Sequence, residues 1–401
     1  MRTTVQKYGG SSVETIEKMR LIADKVITEK ERDTQLVVVV SAMGKTTNQL
    51  IDIARQASSA PSKRELDMLM STGEQVSIAL LTMIFNEKGY PAIALTGSQA
   101  GIKTGGIHTK NKILDIDIDK VKTHLDNDKI VVVAGFQGFN EDGDITTLGR
   151  GGSDTTAVAL AAKLGCTCEI YTDVDGIYSV DPRLYKNAKK LDQISYEEMK
   201  EMASLGAKVM ETRSVEIGHR FGVPIYVASS LGNKPGTYIK EYNDTMEQRS
   251  ITGLSISENV LMITLNHVPY SSTNIAHVFT RLAKAEVLVD MISQTSPVEG
   301  YANISFTTMV DDKTAVDEIL NELKAKFPEV EVQEEDAISK VSVVGMGMRT
   351  QSGVAAKIFE LFAENGIDFK QVTTSEISIS YTIDSKYKQK TIEVITKAFD
   401  L

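Results

Sequence analysis

A glycine-rich turn containing one arginine, Gly149-Arg150-Gly151-Gly152-Ser153, leads through Asp154 and Thr155 into an alanine-rich apolar segment, Thr156 to Leu164. Glycines allow a tight turn that brings backbone N–H groups against an anion, and arginine adds a planar two-donor clamp. Because the apolar segment is typical of a helix, the turn would lie at its positive N-terminal end. A second polar turn, Thr172 to Tyr178, follows a predicted strand, Cys168 to Tyr171. Two such turns at successive strand ends predict a crevice for a small anionic ligand.

The first 240 residues alternate between strand and helix signals. The β-branched runs Val37–Val40 and Ile130–Val133 are typical of strands buried on both faces. Helical patterns cover Glu14 to Glu29, Asn48 to Ser58 and Lys63 to Lys88. The pattern predicts the α/β class: a three-layer α/β sandwich with a mainly parallel sheet, occupying residues 1–240.

The C-terminal part of the chain repeats itself with an offset of 80 residues. Ala276–Ala283 parallels Ala356–Ala363, and each copy has a predicted strand before it and another after it, Val287–Ile292 in the first copy and Ile367–Val372 in the second. The first copy reads as β-α-β-β-α-β, whereas the second ends one strand short at Leu401. The spare strand Ser250–Ile256 would complete the second sheet. We therefore predict two interleaved units, 259–336 and 337–401, with residues 241–258 as connector and shared strand.

Composition excludes several classes of protein. The net charge of −10 over 401 residues argues against a nucleic-acid partner. The longest apolar stretch, Val76 to Phe85, is too short to cross a membrane, so no membrane partner is expected. Two cysteines, Cys166 and Cys168, predict buried thiols in a reducing compartment, and hence the cytoplasm. The five histidines show no metal-ligand spacing, so no metal held by protein side chains is expected.

Two short motifs resemble nucleotide-binding loops but lack features that such loops require. Val39 to Thr46 ends like a P-loop, yet Val39 stands where that motif needs glycine. Gly345 to Thr350 begins like a dinucleotide fingerprint, but too few residues follow it to complete a dinucleotide fold.

Taken together, five blocks in order resemble bacterial aspartokinases over essentially the whole chain. The blocks are Val5–Val13, Val39–Gly44, Ser71–Glu74, Gly149–Ala157 and Thr172–Arg183. The resemblance implies an amino-acid-kinase fold followed by a pair of ACT domains (β-α-β-β-α-β, ferredoxin-like). It also implies transfer of the γ-phosphoryl group of ATP, carried with Mg²⁺, to the side-chain carboxylate of L-aspartate. The product, 4-phospho-L-aspartate, opens lysine, threonine and methionine biosynthesis through the diaminopimelate route.

The same resemblance implies roles for individual residues. Lys7 and Asp154 would be catalytic, with Asp154 orienting Lys7 rather than removing a proton, since a free carboxylate with a pKa near 3.9 is already ionised at pH 7. Arg150 would clamp a carboxylate of aspartate and Glu74 its ammonium group. The other substrate-binding residues would be Ser41, Thr47, Gly151, Gly152 and Ser153. The ATP-binding residues would be Lys7, Tyr8, Gly9, Gly10, Thr172, Asp173, Tyr178, Asp181, Arg183 and Lys208.

The ACT pair implies feedback control and assembly. Lysine, alone or together with threonine, would bind at Met291, Ile292, Gln294, Val354, Ala355, Thr374, Ser375 and Glu376. One departure from the family pattern is the turn His267 to Asn274, which is longer than the D-x-P-G-like turn of relatives. The chain would form a homo-oligomer through its ACT domains, and an internal start at Met246 would yield a shorter regulatory subunit.

Two other functions stay open at this point. A different member of the fold would phosphorylate glutamate, acetylglutamate or a nucleotide, and such enzymes generally lack paired ACT units together with the Ser71–Glu74 block. A non-catalytic amino-acid sensor is the third possibility. Loss of Lys7, Arg150 or Asp154 would favour the sensor, and all three are present.

Overall fold

The computed structural model describes residues 2–207, 209–241 and 250–401. These residues form two compact units. The first comprises residues 2–177, 190–203 and 209–241, and the second comprises 178–189, 204–207 and 250–401. The domain boundaries given above stay predictions.

The first unit alternates strands and helices along most of its length. Its strands are β1 Arg2–Tyr8, β2 Thr34–Val40, β3 Ala92–Leu95, β4 Ile102–Gly105, β5 Lys112–Ile116, β6 Ile130–Ala134, β7 Gln137–Phe139, β8 Ile145–Thr147, β9 Thr167–Thr172, β10 Gln193–Ile194, β11 Ile225–Ser229 and β12 Thr237–Ile239. Its helices are α1 Ile16–Lys30, α2 Thr46–Ala57, α3 Lys63–Glu87, α4 Asp119–Asp126, α5 Gly152–Leu164, α6 Tyr196–Ser204 (whose last residue falls in the second unit) and α7 Thr212–Phe221.

A mainly parallel sheet forms the centre of this unit. Its strand order is β10-β12-β11-β9-β1-β2-β6-β3, and β1 lies between β2 and β9 in parallel register. The runs Val37–Val40 and Ile130–Val133 are completely buried within it, as strands covered on both faces require. Because β1, β2, β6 and β9 run parallel, the loops that follow them meet at one edge of the sheet. The predicted α/β sandwich is confirmed.

A smaller sheet carries the chain into the glycine-rich turn. Its order is β5-β4-β7-β8, and β7 and β8 form an antiparallel hairpin. The turn Leu148–Gly151 follows β8 directly and ends in α5. The helix begins at Gly152, four residues before the predicted start at Thr156, so Ser153 and Asp154 belong to its first turn.

Helix α3 agrees with the predicted helical pattern Lys63 to Lys88 to within one residue and is longer than the apolar stretch Val76 to Phe85. By length and composition it could cross a membrane, with a mean hydropathy of 1.4 over its most apolar window. However, it buries polar side chains, including those of Asp67, Ser71 and Glu74, and 56% of that window is buried inside the protein. These features are those of a core helix.

The second unit consists of one continuous sheet covered by helices. Its elements are β13 Gly253–Pro269, α8 Ser272–Lys284, β14 Asp290–Gln294, β15 Tyr301–Met309, α9 Lys313–Lys326, β16 Glu331–Val344, α10 Val354–Asn365, β17 Phe369–Thr374, β18 Ser378–Asp384 and α11 Lys388–Phe399, with short 3₁₀ turns at Val310–Asp312, Met346–Arg349 and Ser385–Tyr387. Strands β14 and β17 begin two to three residues later than the sequence predicts.

The two repeats share their long strands, as predicted. The sheet order is β14-β15-β13-β16-β18-β17. Residues Gly253–Ser257 of β13 pair with Lys340–Val344 of β16, so the spare strand completes the second copy. The next part of β13 pairs with β15 and with the first part of β16, which closes the first copy. The β-α-β-β-α-β units are therefore interleaved.

The expected long turn at His267–Asn274 is mostly regular structure. Strand β13 continues to Pro269, with a register shift between Leu265 and Val268, and His267 adopts a φ of +56° there. Ser271 then caps α8 by accepting a hydrogen bond from the Asn274 N–H. The extra length is thus absorbed by an irregular strand end.

Residues 178–189, from the middle of the chain, pack into the core of the second unit. Val180 is 1% exposed and belongs to the same apolar cluster as Leu254, Phe362 and Tyr381. The Ser179 carbonyl accepts a hydrogen bond from the Leu254 N–H. This excursion was not predicted, because nothing local in the sequence indicates which core a short apolar segment joins.

Candidate active site

Lys7 lies near the carboxyl end of the central strand β1, and Asp154 lies in the first turn of α5. The Lys7 Nζ is 2.5 Å from the Asp154 Oδ1, and the two side chains are 11% and 12% exposed. An ion pair so withdrawn from water is stable only while both charges are present. The structure therefore brings together the two residues that the sequence singles out as catalytic.

The glycines around Arg150 are required by backbone geometry. Gly149 and Gly151 have φ values of +77° and +66°, which side chains with a Cβ rarely adopt. The turn also fits closely against its surroundings, since a Cβ at Gly135 would lie 2.7 Å from the Ser153 Oγ. Arg150 is exposed at the rim of this turn. Ser153 and Asp154 are thus held firmly, whereas the arginine side chain is accessible to a ligand.

Glu74 is buried on helix α3 and lies beside the same cavity as Lys7 and Asp154. One carboxylate oxygen accepts a hydrogen bond from the Ala42 N–H at 3.1 Å. The other oxygen, Oε2, is buried without a hydrogen-bond partner among the described residues. Burial raises the pKa of Glu74 to about 8. Gly73 permits the close approach, since a Cβ there would meet the Ala42 Cβ at 2.8 Å.

These residues surround one cavity of about 240 Å³. Its lining residues are Lys7, Gly10, Ser41, Ala42, Gly44, Thr47, Glu74, Phe136, Gly149, Arg150, Gly151, Gly152, Ser153 and Asp154. Every residue predicted to bind substrate is among them. The additional ones are Ala42, Gly44, Phe136 and Gly149.

Phe136 could have been found from the sequence. It follows Gly135 immediately after the buried strand β6, a position where ligand-contacting loops of parallel sheets begin. Its φ of +69° is unusual for a bulky residue. The backbone there is fixed from both sides: its N–H donates to the Thr156 Oγ1 and its carbonyl accepts from the Leu148 N–H.

Glu211 is a carboxylate that the sequence does not single out. It precedes α7 and touches the substrate turn, since a Cβ at Gly151 would lie 2.4 Å from the Glu211 Cβ. Burial and the negative charge of Asp154 raise the pKa of Glu211. No motif marks it, because the contact depends on how α7 packs against α5.

The residues predicted to bind ATP fall into three groups. Gly10 lines the cavity, and Thr172 and Asp173 lie at the end of β9, the strand next to β1. Tyr178, Asp181 and Arg183 belong to the second unit, where the Arg183 guanidinium pairs with the Asp181 carboxylate at 2.6 Å. Lys208 lies outside the described residues.

Tyr8 and Gly9 are committed to the scaffold. The Tyr8 ring is fully buried and stacks on Tyr171 with 5.0 Å between ring centroids. The Gly9 N–H donates to the Tyr171 carbonyl at 3.3 Å, where the loop bends back onto β9. The contacts of Tyr8 and Gly9 with ATP stay predictions.

The described residues contain no group of three or more His, Cys, Asp or Glu side chains that could hold a metal ion. Cys168 is buried and Cys166 partly buried, and both are unpaired. Burial raises the pKa of Cys166 to about 11, which makes it a poor ligand and nucleophile near neutral pH.

The residues predicted to bind effectors occupy two parts of the second unit. Met291, Ile292 and Gln294 lie on β14, where Met291 has a φ of +47°. Val354 and Ala355 open α10, while Thr374 ends β17 and leads into Ser375 and Glu376. Gln371 of β17 joins the two copies, since its Nε2 donates to the Ser293 Oγ at 3.0 Å and to the Met291 carbonyl.

Similarity to known proteins agrees with this architecture. Residues 2–229 match the amino acid kinase family, and residues 341–399 match the ACT domain family. Fold and cavity together define a small-molecule kinase with a C-terminal regulatory pair of ACT domains.

Relatives that match along the whole chain narrow the class to one family. The aspartokinase of Geobacillus stearothermophilus is 46% identical over 402 residues, and aspartokinase 2 of Bacillus subtilis is 44% identical over 402 residues. Each alignment covers 100% of this chain and 98% of the relative. The chain therefore belongs to the aspartokinase family. It is an enzyme of amino-acid biosynthesis that transfers a phosphoryl group to the side-chain carboxylate of aspartate.

Solved structures share the fold over the full length. Escherichia coli aspartokinase III in complex with aspartate and ADP (R-state) superimposes with a TM-score of 0.81 at 24% identity. The same enzyme in complex with lysine and aspartate (T-state) gives 0.80 at 25% identity. Both comparisons cover 99% of this chain and 99% of the other.

Proposed function

We propose that the cavity beside Lys7 is the aspartate site. The observation that carries this proposal is the meeting of an isolated buried carboxylate oxygen, an accessible guanidinium and an ion-paired lysine around one space of about 240 Å³. L-Aspartate has one ammonium and two carboxylate groups. Glu74 would receive the ammonium, Arg150 the α-carboxylate, and the side-chain carboxylate would point toward Lys7.

The buried Glu74 explains discrimination among amino-acid substrates. An N-acetylated amino acid has no positive charge to offer the Glu74 carboxylate, so its binding would form no ion pair and would leave the buried Glu74 Oε2 without a partner in a desolvated site. Acetylglutamate and nucleotides are therefore disfavoured. Ser41, Thr47 and Ser153 would supply further hydrogen bonds to the bound substrate, and the backbone of Gly151 and Gly152 would shape the site around it.

Catalysis here rests on charge rather than on proton transfer. The attacking carboxylate is already ionised at neutral pH, so no general base is needed. The barrier is the approach of an anion to a polyanion, and preorganised positive charge lowers it. Lys7 would supply that charge between nucleophile and phosphoryl group. Asp154, 2.5 Å from the Lys7 Nζ, would hold the ammonium group in place.

ATP would enter with Mg²⁺ bound to its phosphates, as the second substrate. Gly10, Thr172 and Asp173 lie at the carboxyl ends of neighbouring strands, where nucleotides bind in open α/β sheets. Tyr8 and Gly9 would contribute only through their positions in the backbone. The roles of Tyr178, Asp181, Arg183 and Lys208 stay predictions.

Regulation by lysine is the third part of the proposal. Aspartokinase III of E. coli, the relative in the T-state complex, binds lysine. Here the predicted effector residues lie on the interleaved sheet, where the side chain of Gln371 joins the two copies. A ligand with different affinity for two arrangements of this unit would shift the population between them. Synergy with threonine stays a prediction.

Assembly through the ACT units follows from the same architecture. Strands β14 and β17 are the last strands in the sheet order, and edge strands can pair with another chain. The proposed internal start, Met246, lies outside the described residues. A subunit starting there would lack residues 178–189, so its core would lose Val180. This loss weighs against an independent short subunit.

We also place the reaction in the cytoplasm. The support is chemical: both cysteines are unpaired thiols, as in proteins of reducing compartments.

The test is ADP release measured with L-aspartate, L-glutamate and acetylglutamate. We expect turnover with aspartate and little with the other two. Arg150→Ala should raise the KM for aspartate, whereas Lys122→Ala, an exposed lysine of α4, should change nothing. Preferred turnover of acetylglutamate would refute the assignment of Glu74.

A further inference from the structure

Asp67 is a fully buried carboxylate that neither the motifs nor the cavity involves. It lies on α3, two turns before Glu74, and it is 0% exposed. Its oxygens accept hydrogen bonds from the Thr109 N–H at 3.0 and 3.1 Å and from the Thr147 hydroxyl at 2.5 Å. Its Oδ2 is also 2.7 Å from the His108 Nδ1. A buried charge with this many partners holds separate chain segments in a fixed relation.

The segments so held are the loop before β5 and the end of β8. Thr147 is the last residue of β8, and Leu148, Gly149 and Arg150 follow it directly. The Asn111 N–H donates to the Thr147 carbonyl at 3.0 Å, so the loop and the strand end are also joined through their backbones. A Cβ at Gly149 would lie 3.1 Å from the Thr109 carbonyl oxygen. The loop therefore supports the substrate turn from behind.

Arg213 of α7 joins the same two segments from the other side. Its guanidinium donates to the Leu148 carbonyl at 2.9 Å and to the Asn111 carbonyl at 3.1 Å. The planar fork of arginine can serve two acceptors at once, which a lysine ammonium on a single stem does less well. Leu148 follows Thr147 directly, and Asn111 lies two residues after Thr109. Thr147 and Thr109 are both hydrogen-bonded to Asp67.

The loop backbone is strained where Asp67 binds it. Thr109 adopts a φ of +72°, an outlier for a β-branched residue. Such a conformation persists only where the surroundings impose it, and it is found at sites whose geometry matters. The Asp67 carboxylate accepts from the N–H of this very residue. The charge of Asp67 thus stabilises the backbone conformation of Thr109, whose carbonyl oxygen lies close to Gly149.

We propose that Asp67 and Arg213 are positioning residues for aspartate binding. Together they fix the backbone of Leu148 and Gly149, and thereby the place from which Arg150 reaches the substrate. The inference rests on the proposed role of Arg150 as the aspartate clamp. A misplacement of about 1 Å at such a clamp weakens substrate use strongly without changing any group that touches the substrate.

Steady-state kinetics of full-length variants test this proposal. Asp67→Ala should raise the KM for aspartate about tenfold or more, while the KM for ATP stays within about twofold. Asp67→Asn keeps an oxygen that can accept from Thr109 and Thr147, so it should recover most of the loss. Arg213→Lys should raise the aspartate KM in the same selective manner. Glu87→Gln, an exposed carboxylate near the end of the same helix, is the matched control and should match wild type.

Selective loss of aspartate affinity with rescue by asparagine supports the proposal. Equal increases in both KM values, or an unchanged aspartate KM in a folded Asp67→Ala protein, would overturn it. Should Asp67→Ala fail to fold, Arg213→Lys decides by the same criterion. Arg150→Ala distinguishes failure of the positioning role from failure of the proposed aspartate site. If Arg150→Ala raises the aspartate KM and the Asp67 and Arg213 variants do not, only the positioning role is wrong. If Arg150→Ala has no effect, the proposed aspartate site fails as well.

Discussion

The proposed aspartate cavity and the predicted effector elements differ in how tightly their residues are held. In the cavity, Lys7 and Asp154 are paired and nearly buried, and Glu74 has one oxygen bound to the backbone. In the second unit, Ile292 is 52% exposed and the Glu376 side chain is 79% exposed. A preorganised site is typical of catalysis, because its groups must not move as charge develops. Exposed elements on a shared sheet suit a ligand that selects between arrangements.

The largest effect should come from substitution in the buried ion pair of Lys7 and Asp154. Lys7→Ala is expected to lower kcat by about 10²–10³-fold, because it removes positive charge from the transition state. It also leaves Asp154 unpaired, at a cost to folding of about 3–5 kcal/mol. The charge therefore matters for stability as well as turnover. The double variant Lys7→Met/Asp154→Asn removes both charges and controls for folding. If that variant is folded and retains near-normal kcat, the catalytic role of the pair is wrong.

The next effect concerns substrate selectivity. Glu74→Ala is expected to weaken aspartate use by about 2–3 kcal/mol, roughly 30–150-fold in KM, because the substrate ammonium loses its partner. ATP affinity should change little. The measurement is the pair of KM values under saturation with the other substrate. Parallel losses for both substrates would show that Glu74 supports the fold of the whole site rather than the ammonium contact.

A smaller effect is expected at the effector elements. Lysine should inhibit the full-length enzyme, and Glu376→Ala should raise the lysine concentration for half-inhibition about fivefold or more. Activity without lysine should stay unchanged, since Glu376 lies in the second unit and outside the cavity. Glu364→Ala, an exposed acid of α10, is the control. Activity that is unchanged by lysine, by threonine and by their mixture would refute the regulatory part of the proposal.

The smallest effect is on stability. Folding raises the Glu74 pKa from 4.5 to about 8, so the unliganded protein binds a proton that the unfolded chain releases. The stability contribution of this group is complete below pH 4.5 and is lost as pH rises through about 8. Glu74→Gln should therefore raise Tm by about 2–4 °C or more at pH 8.5 and leave it unchanged at pH 4. An equal shift at both pH values would point to packing instead of charge.

Much of the fold could be predicted because a strand or a turn is determined largely by neighbouring residues in the sequence. The Val37–Val40 run dictates a buried strand, and the glycines at 149 and 151 are demanded by positive φ angles. The other cavity-lining residues, such as Glu74 and Thr47, were predicted from the resemblance to aspartokinases. What escaped prediction depends on contacts between distant segments. Glu211 meets Gly151 only after α7 packs, Asp67 meets Thr109 across 42 positions, and Val180 joins a core that is formed mainly by residues beyond 250.

Catalysis by charge placement, without a general base, can be tested with pH profiles of the wild-type enzyme. Between pH 6 and 9, kcat at saturating substrates should be flat, because no catalytic group must lose a proton after both substrates bind. By contrast, kcat/KM for aspartate should rise with pH, reach half of its limiting value near pH 8 and level off above that pH, as Glu74 in the free enzyme becomes ionised. A kcat that falls toward low pH, with the fall abolished in Asp154→Asn, would identify Asp154 as a base and contradict this mechanism.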